Sequence, residues 1–211
     1  MMATTHAFAG LVLAAVLALV APQFAFVVAV AAIAGGLFPD FDLYAGHRRT
    51  LHFPVYYWLL AAPATVVAVL VTTETTVAVA VFLLAAALHS FMDVFGSGLE
   101  LKPWKGSSDR AVYSHYHGRW LEPRRWIRYD GSPADLALAG ALAIPGLVVF
   151  DGIVRTVVIA LLAISAGYTL VRKPLVVVAE WLLERVPEPV LEYLPERFLP
   201  VEESDLERIG D

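Results

Sequence analysis

The chain has 211 residues, of which 59% are hydrophobic and 17% charged, with a mean hydropathy of +0.68 and a formal charge of −5. That composition is too apolar for a water-soluble domain of this size, and its acidic balance argues against nucleic acid as a partner. With no cysteine, disulfides and thiolate metal sites are excluded, so any metal must be held by histidine nitrogen and carboxylate oxygen.

The start, Met1-Met2-Ala3-Thr4-Thr5-His6, has no basic residue ahead of the apolar run, so that run reads as a retained span rather than a secretory signal. Residues 7–38 are almost uninterruptedly apolar. As one helix they would reach roughly 48 Å at 1.5 Å per residue, against a hydrocarbon core of about 30 Å. Pro22-Gln23 near the middle supplies a break, which predicts a hairpin of two short spans, 7–21 and 24–38. Spans three and four follow at 54–72 and 76–92, joined by a threonine-rich turn around Glu74.

Residues 93–135 then form a long polar stretch with seven basic residues, and loops of that length usually carry function. Spans five and six cover 135–150 and 153–171, broken at Asp151-Gly152. The expected architecture is an all-α polytopic membrane bundle of about six spans over residues 1–173. Residues 174–211 form a short amphipathic, acidic tail with glutamates at 180, 184, 188, 192 and 196 and interrupting prolines. Fourteen of the fifteen basic residues, all but Arg155, fall on one side of this arrangement. The positive-inside rule therefore makes that side, with both termini, cytoplasmic in a multi-pass cell membrane.

All six histidines lie on that same side, at or just beyond span ends. His89 and Asp93 are one helical turn apart and share a face. The pair reads equally as two ligands on one metal or as a structural hydrogen bond. Asp40 and Asp42 flank Phe41 at a span exit, where carboxylates also serve as turn or cap residues. His47 and His52 need a loop to aim both inward, and Gly46 permits one. Arg48 can hold an anionic substrate or anchor at head groups. His6 reads as a further ligand, a partner of one, or an interfacial histidine. His115 and His117 lie in a basic, aromatic stretch suited to anionic head groups. A convergent His/Asp set with an open position is what metal-assisted hydrolysis requires. There is no dinucleotide fingerprint, P-loop, H-E-x-x-H or G-x-S-x-G element.

Three elements in order are Thr5-His6-x-x-x-Gly10; Phe38-Pro39-Asp40-Phe41-Asp42 with Gly46-His47-Arg48-Arg49-Thr50-x-His52; and His89-x-x-x-Asp93-x-x-x-x-Gly98. Together they resemble the YdjM-type inner-membrane metal-dependent hydrolase family over residues 4–104. Phe53 stands where members often have serine, and Leu99-Glu100-Leu101-Lys102-Pro103-Trp104 is a charged version of a usually apolar segment. The resemblance implies a divalent metal, zinc first and manganese second, held by Asp40, Asp42, His47, His52, His89 and Asp93, with His6 as a further ligand or a partner of one. Asp42, His47 and Arg48 are the expected catalytic groups. The expected partners are the lipid bilayer and a phosphoester or anionic lipid substrate; oligomeric state is not readable. A cation transporter or a membrane adaptor working through the acidic tail are the alternatives.

Overall fold

The computed structural model describes residues 1–187. Six α-helices dominate: α1 (Ala3–Val20), α2 (Ala25–Leu37), α3 (Tyr56–Leu70), α4 (Glu74–Met92), α5 (Pro133–Val149) and α6 (Gly152–Leu183). The long polar stretch contributes one antiparallel hairpin, β1 (Val112–Ser114) with β2 (Arg119–Leu121), pairing Val112 with Leu121. This small hairpin is a local exception to the all-α expectation. Gly118, at φ +64°, supplies its tight turn.

Helix α1 is apolar all round, and it lies at the centre, packed on α2, α4, α5 and α6. Phe8, Leu11 and Ala14 are fully buried. The helix ends before Ala21, and one 3-10 turn over Pro22–Phe24 reverses the chain. Helix α2 therefore returns antiparallel, and His6 comes to lie on the pole where α2 ends. Small residues make the close approach possible. A side chain at Gly36 would put its Cβ 2.8 Å from the carbonyl oxygen of His6 in α1, and one at Gly35 would strike the Phe82 backbone of α4.

Four stretches are long and apolar enough to cross a membrane: Ala3–Val20, Pro22–Asp42, Glu74–Phe95 and Gly152–Leu183. Of the six spans expected, these four reach membrane length, and α3 and α5 are shorter apolar helices. Helices α3 and α5 have 15 and 17 residues, about 22 and 25 Å, and fall short of a bilayer core. The shortening of α3 has a local cause. Thr73 and Thr76 form a reciprocal capping box that starts α4 immediately after α3 stops.

Helix α6 corrects another boundary. It does not stop near residue 171 but continues through Pro174 to Leu183, 32 residues in all and about 48 Å. Glu180 lies within it and pairs with Lys102. The remaining acidic tail, including Glu188, Glu192 and Glu196, lies outside the described residues.

Candidate metal centre

Five helix ends meet at one pole: the starts of α1, α3 and α5 and the ends of α2 and α4. Long-range contacts tie them there. His6 reaches Asp93, Thr5 reaches Asp135, and His52 reaches His89. Beyond α2 the chain makes a 3-10 turn over Phe38–Asp42 with Pro39 in its first position. That turn presents Asp40 and Asp42 in different directions. The 43–53 segment then folds back over the pole, with Arg48 in the left-handed region at φ 59°.

Asp40, His52, His89 and Asp93 each offer one ligand atom, and these four atoms lie within 4.8 Å of one another. His52 Nε2 and His89 Nε2 are 3.2 Å apart. Asp93 Oδ2 lies 3.3 and 3.4 Å from them, and Asp40 Oδ1 lies 3.8 and 3.5 Å away. Four ligands held about 2.0–2.2 Å from one ion in a tetrahedral shell are roughly 3.3–3.6 Å apart. The group could hold a metal ion.

The hydrogen bonds behind the two imidazoles strengthen this point. His89 Nδ1 sits 2.6 Å from the Gly36 carbonyl oxygen. A carbonyl only accepts, so Nδ1 carries the proton. His52 Nδ1 donates to Asp42 Oδ2 at 3.0 Å. In neutral rings both Nε2 atoms are therefore bare lone pairs, facing each other and two carboxylates. Three buried acceptors and the half-buried Asp40 surround one point, and either a cation there or a proton on one ring would satisfy them.

Asp42 is almost fully buried and all its accepting capacity is used. Oδ1 takes His47 Nδ1 at 2.9 Å and the Arg48 amide at 3.3 Å; Oδ2 takes His52 Nδ1 and the Leu51 amide, each at 3.0 Å. It lies outside the four-donor group and orients two histidines. The expected roles of Asp42 as metal ligand and catalytic group meet a different geometry, because neither oxygen is turned to the centre. His47 also lies outside the group, fixed through Nδ1 by Asp42. His6 is outside it as well. Its ring stacks on His89 at 3.8 Å between centroids, and its Nε2 donates to Asp93 Oδ1 at 3.0 Å. The Met1 nitrogen reaches the same oxygen at 3.0 Å.

Arg48 is 6% exposed. Its Nη1 donates to the Ser97 carbonyl at 2.6 Å, its own carbonyl accepts from the Tyr113 amide of β1 at 2.9 Å, and its Nε lies 3.6 Å from Asp93 Oδ2 without a hydrogen bond. Such restraint from several sides sustains an unfavourable φ at a non-glycine residue. The hairpin's role is to clamp this segment. His115 Nε2 donates to the Arg49 carbonyl at 2.6 Å, and His117 Nδ1 bonds Ser114 Oγ at 2.8 Å. Neither histidine joins the centre.

Within the group, Asp40 is the partly exposed member. It opens onto a cleft of about 330 Å³ that is also lined by His47, Arg48, Gly98, Thr4, Ser165 and Tyr168.

Sequence reasoning missed a second set of polar residues beside this cleft. Asp135 is fully buried and accepts from the Met2 amide, Thr5 Oγ1 and the Gly131 amide at 2.8, 2.7 and 3.1 Å. Its signal was present: Ser132-Pro133-Ala134-Asp135 is a helix-start pattern, and Ser132 Oγ does accept from the Asp135 amide. Asp130 accepts two bonds from Arg172, at 3.0 and 3.2 Å, and one from the Tyr168 hydroxyl. Burial would push the Asp130 carboxyl up, but the Arg172 guanidinium and the Tyr168 hydroxyl hold it below the usual carboxylate range.

Compared with known proteins, the chain matches no family model, no curated protein and no solved structure.

Proposed function

We propose that this protein is a membrane-embedded, metal-dependent hydrolase acting on phosphoesters at the cytoplasmic face. The observation that carries this reading is the convergence of four acceptor atoms, three of them on buried residues and two of them imidazole lone pairs fixed from behind, beside an open cleft. Asp40, His52, His89 and Asp93 would hold the ion. The mixed nitrogen and oxygen donors at near-tetrahedral spacing favour zinc, with manganese second. A divalent ion there would act as a Lewis acid and make a water molecule acidic near neutral pH.

The chain's own residues supply the remaining parts. Asp42 and the Gly36 carbonyl set the ring orientations of His52 and His89. His6 and Arg48 hold Asp93. His47, lining the cleft with its Nδ1 fixed by Asp42, is the proposed general base. Arg48 places positive charge where a phosphoryl group would bind. The three motifs' resemblance to YdjM-type hydrolases supports a His/Asp metal site, although it counts Asp42, His47 and His6 among the ligands and they stand outside the four-residue group here. The basic residues around the same pole support a cytoplasmic orientation.

The test is to load the purified protein with zinc or manganese and follow phosphate release from a panel of phosphoesters. Turnover that stops on chelation and returns with zinc is the expected result. Stoichiometric metal without turnover of any ester would overturn the hydrolase reading. Metal uptake into proteoliposomes under the same conditions would favour transport.

A further inference from the structure

The cleft beside the metal centre has two unlike walls. One is polar and belongs to the pole: Asp40, His47, Arg48, Glu100 and Asp130. The other belongs to the membrane helices: Thr4 of α1 and Ile164, Ser165 and Tyr168 of α6. At its base Ser165 Oγ donates to Thr4 Oγ1 at 2.7 Å, and both residues are buried. Ile164, one residue away, is 58% exposed, on a helix long and apolar enough to cross a membrane. Helix α6 is also the least buried of the four membrane-length helices. The cleft therefore borders the surface that lipid chains would cover.

Size narrows the ligand further. About 330 Å³ is at the lower end of small-molecule sites. It suits a phosphate group and the first atoms of its tether, not a whole lipid. Charge on the lining is mixed: Arg48, whose Nε faces Asp93 at 3.6 Å, and the Met1 amino group stand against Asp40, Glu100 and Asp130, so an anion is favoured there only with a cation held at the adjoining centre. An apolar tether would leave the cleft past Ile164 and run along α6, where no polar group needs to be desolvated.

We infer that the cleft takes the terminal phosphate of a membrane amphiphile, which enters sideways from the bilayer between the start of α1 and the middle of α6. The identity of the ligand rests on cleft geometry and on the metal of the proposed function; only its turnover rests on the hydrolase reading. In that turnover a water oxygen adds to phosphorus, the phosphorus–oxygen bond to the lipid alcohol breaks, and the proton released by water passes to that alkoxide. The products are a membrane alcohol and inorganic phosphate.

Native mass spectrometry of the zinc-loaded full chain in detergent tests binding, with equimolar dioleoyl phosphatidic acid and dioleoyl phosphatidylcholine added. Phosphatidic acid should be retained at least tenfold over phosphatidylcholine. Ile164→Trp, which fills the membrane-side wall, should lower that preference about tenfold. Leu170→Trp, 79% exposed on the same helix and away from the cleft, should not. Equal retention of both lipids overturns the inference. So does displacement of phosphatidic acid by an equal concentration of glycerol 3-phosphate, since the phosphate alone would then carry binding. If Ile164→Trp does not fold, those two measurements decide. Phosphate release from the zinc-loaded complex is scored separately. Selective retention without release sinks the hydrolase reading and keeps the inference, whereas release from glycerol 3-phosphate without lipid retention does the reverse.

Discussion

Two clusters of buried and half-buried carboxylates border the same cleft, and they are built on opposite principles. At Asp130 and Asp135 the carboxylates face donors: a guanidinium, hydroxyls and backbone amides. Those groups satisfy one another, so the cluster needs nothing from outside and its role is to tie α5 and α6 to the start of α1. At Asp40, His52, His89 and Asp93, acceptor faces acceptor. The donors are behind the ring, at Nδ1, and have been used to aim lone pairs at a common point. The comparison teaches that burial of charge does not by itself mark a site; the direction of the unpaired valence does.

The largest effect that would sharpen the contrast is on metal content. His89→Ala should abolish stoichiometric zinc binding, read by elemental analysis of the purified protein, while Asp135→Ala should leave metal per folded chain unchanged. Next comes stability. Asp135→Ala strands the Met2 and Gly131 amides and the Thr5 hydroxyl, and should cost about 2–3 kcal/mol in a denaturation titration in detergent. A neutral result would mean that the second cluster is not structural.

Asp42→Asn tests the supporting layer. It should weaken zinc affinity about 10–100-fold, because the orientation and basicity of His52 depend on that carboxylate. Full retention of affinity would move Asp42 out of the proposed machinery. The smallest effect concerns pH. The folded Asp130 carboxyl is held below its unfolded value of about 3.9. Its contribution is thus fully present above that value and is lost as pH falls through the folded one. Thermal midpoints of wild type and Asp130→Asn should converge as pH is lowered from about 5 to 3, and a constant gap would contradict the ion pair's role.

Much of this was legible in the chain itself. Pro22 marked the reversal that places His6 on the pole of the candidate metal centre, because a 32-residue apolar helix would overrun a bilayer core and a residue without an amide hydrogen favours the break there. His89 and Asp93 could be paired because four residues make one helical turn. Six apolar helices were legible, and so was the threonine-rich turn between α3 and α4; the lengths of α3 and α5, 15 and 17 residues, were not. The continuation of α6 past Pro174 was masked by the rule that proline disfavours helix interiors, which packing and partner contacts override here.

Sequence alone determined the donor chemistry: with no cysteine, only imidazole and carboxylate were available, and their places at helix ends followed from the cost of burying charge in a bilayer. Only the tertiary structure decided which of seven candidates face the centre and which stand behind. A histidine becomes a ligand by virtue of the partner on its other nitrogen, and those partners come from far along the chain. Gly36 serves His89 from 53 residues away, and His52 meets His89 across 37. No spacing in the sequence encodes which ring nitrogen will be left with a lone pair.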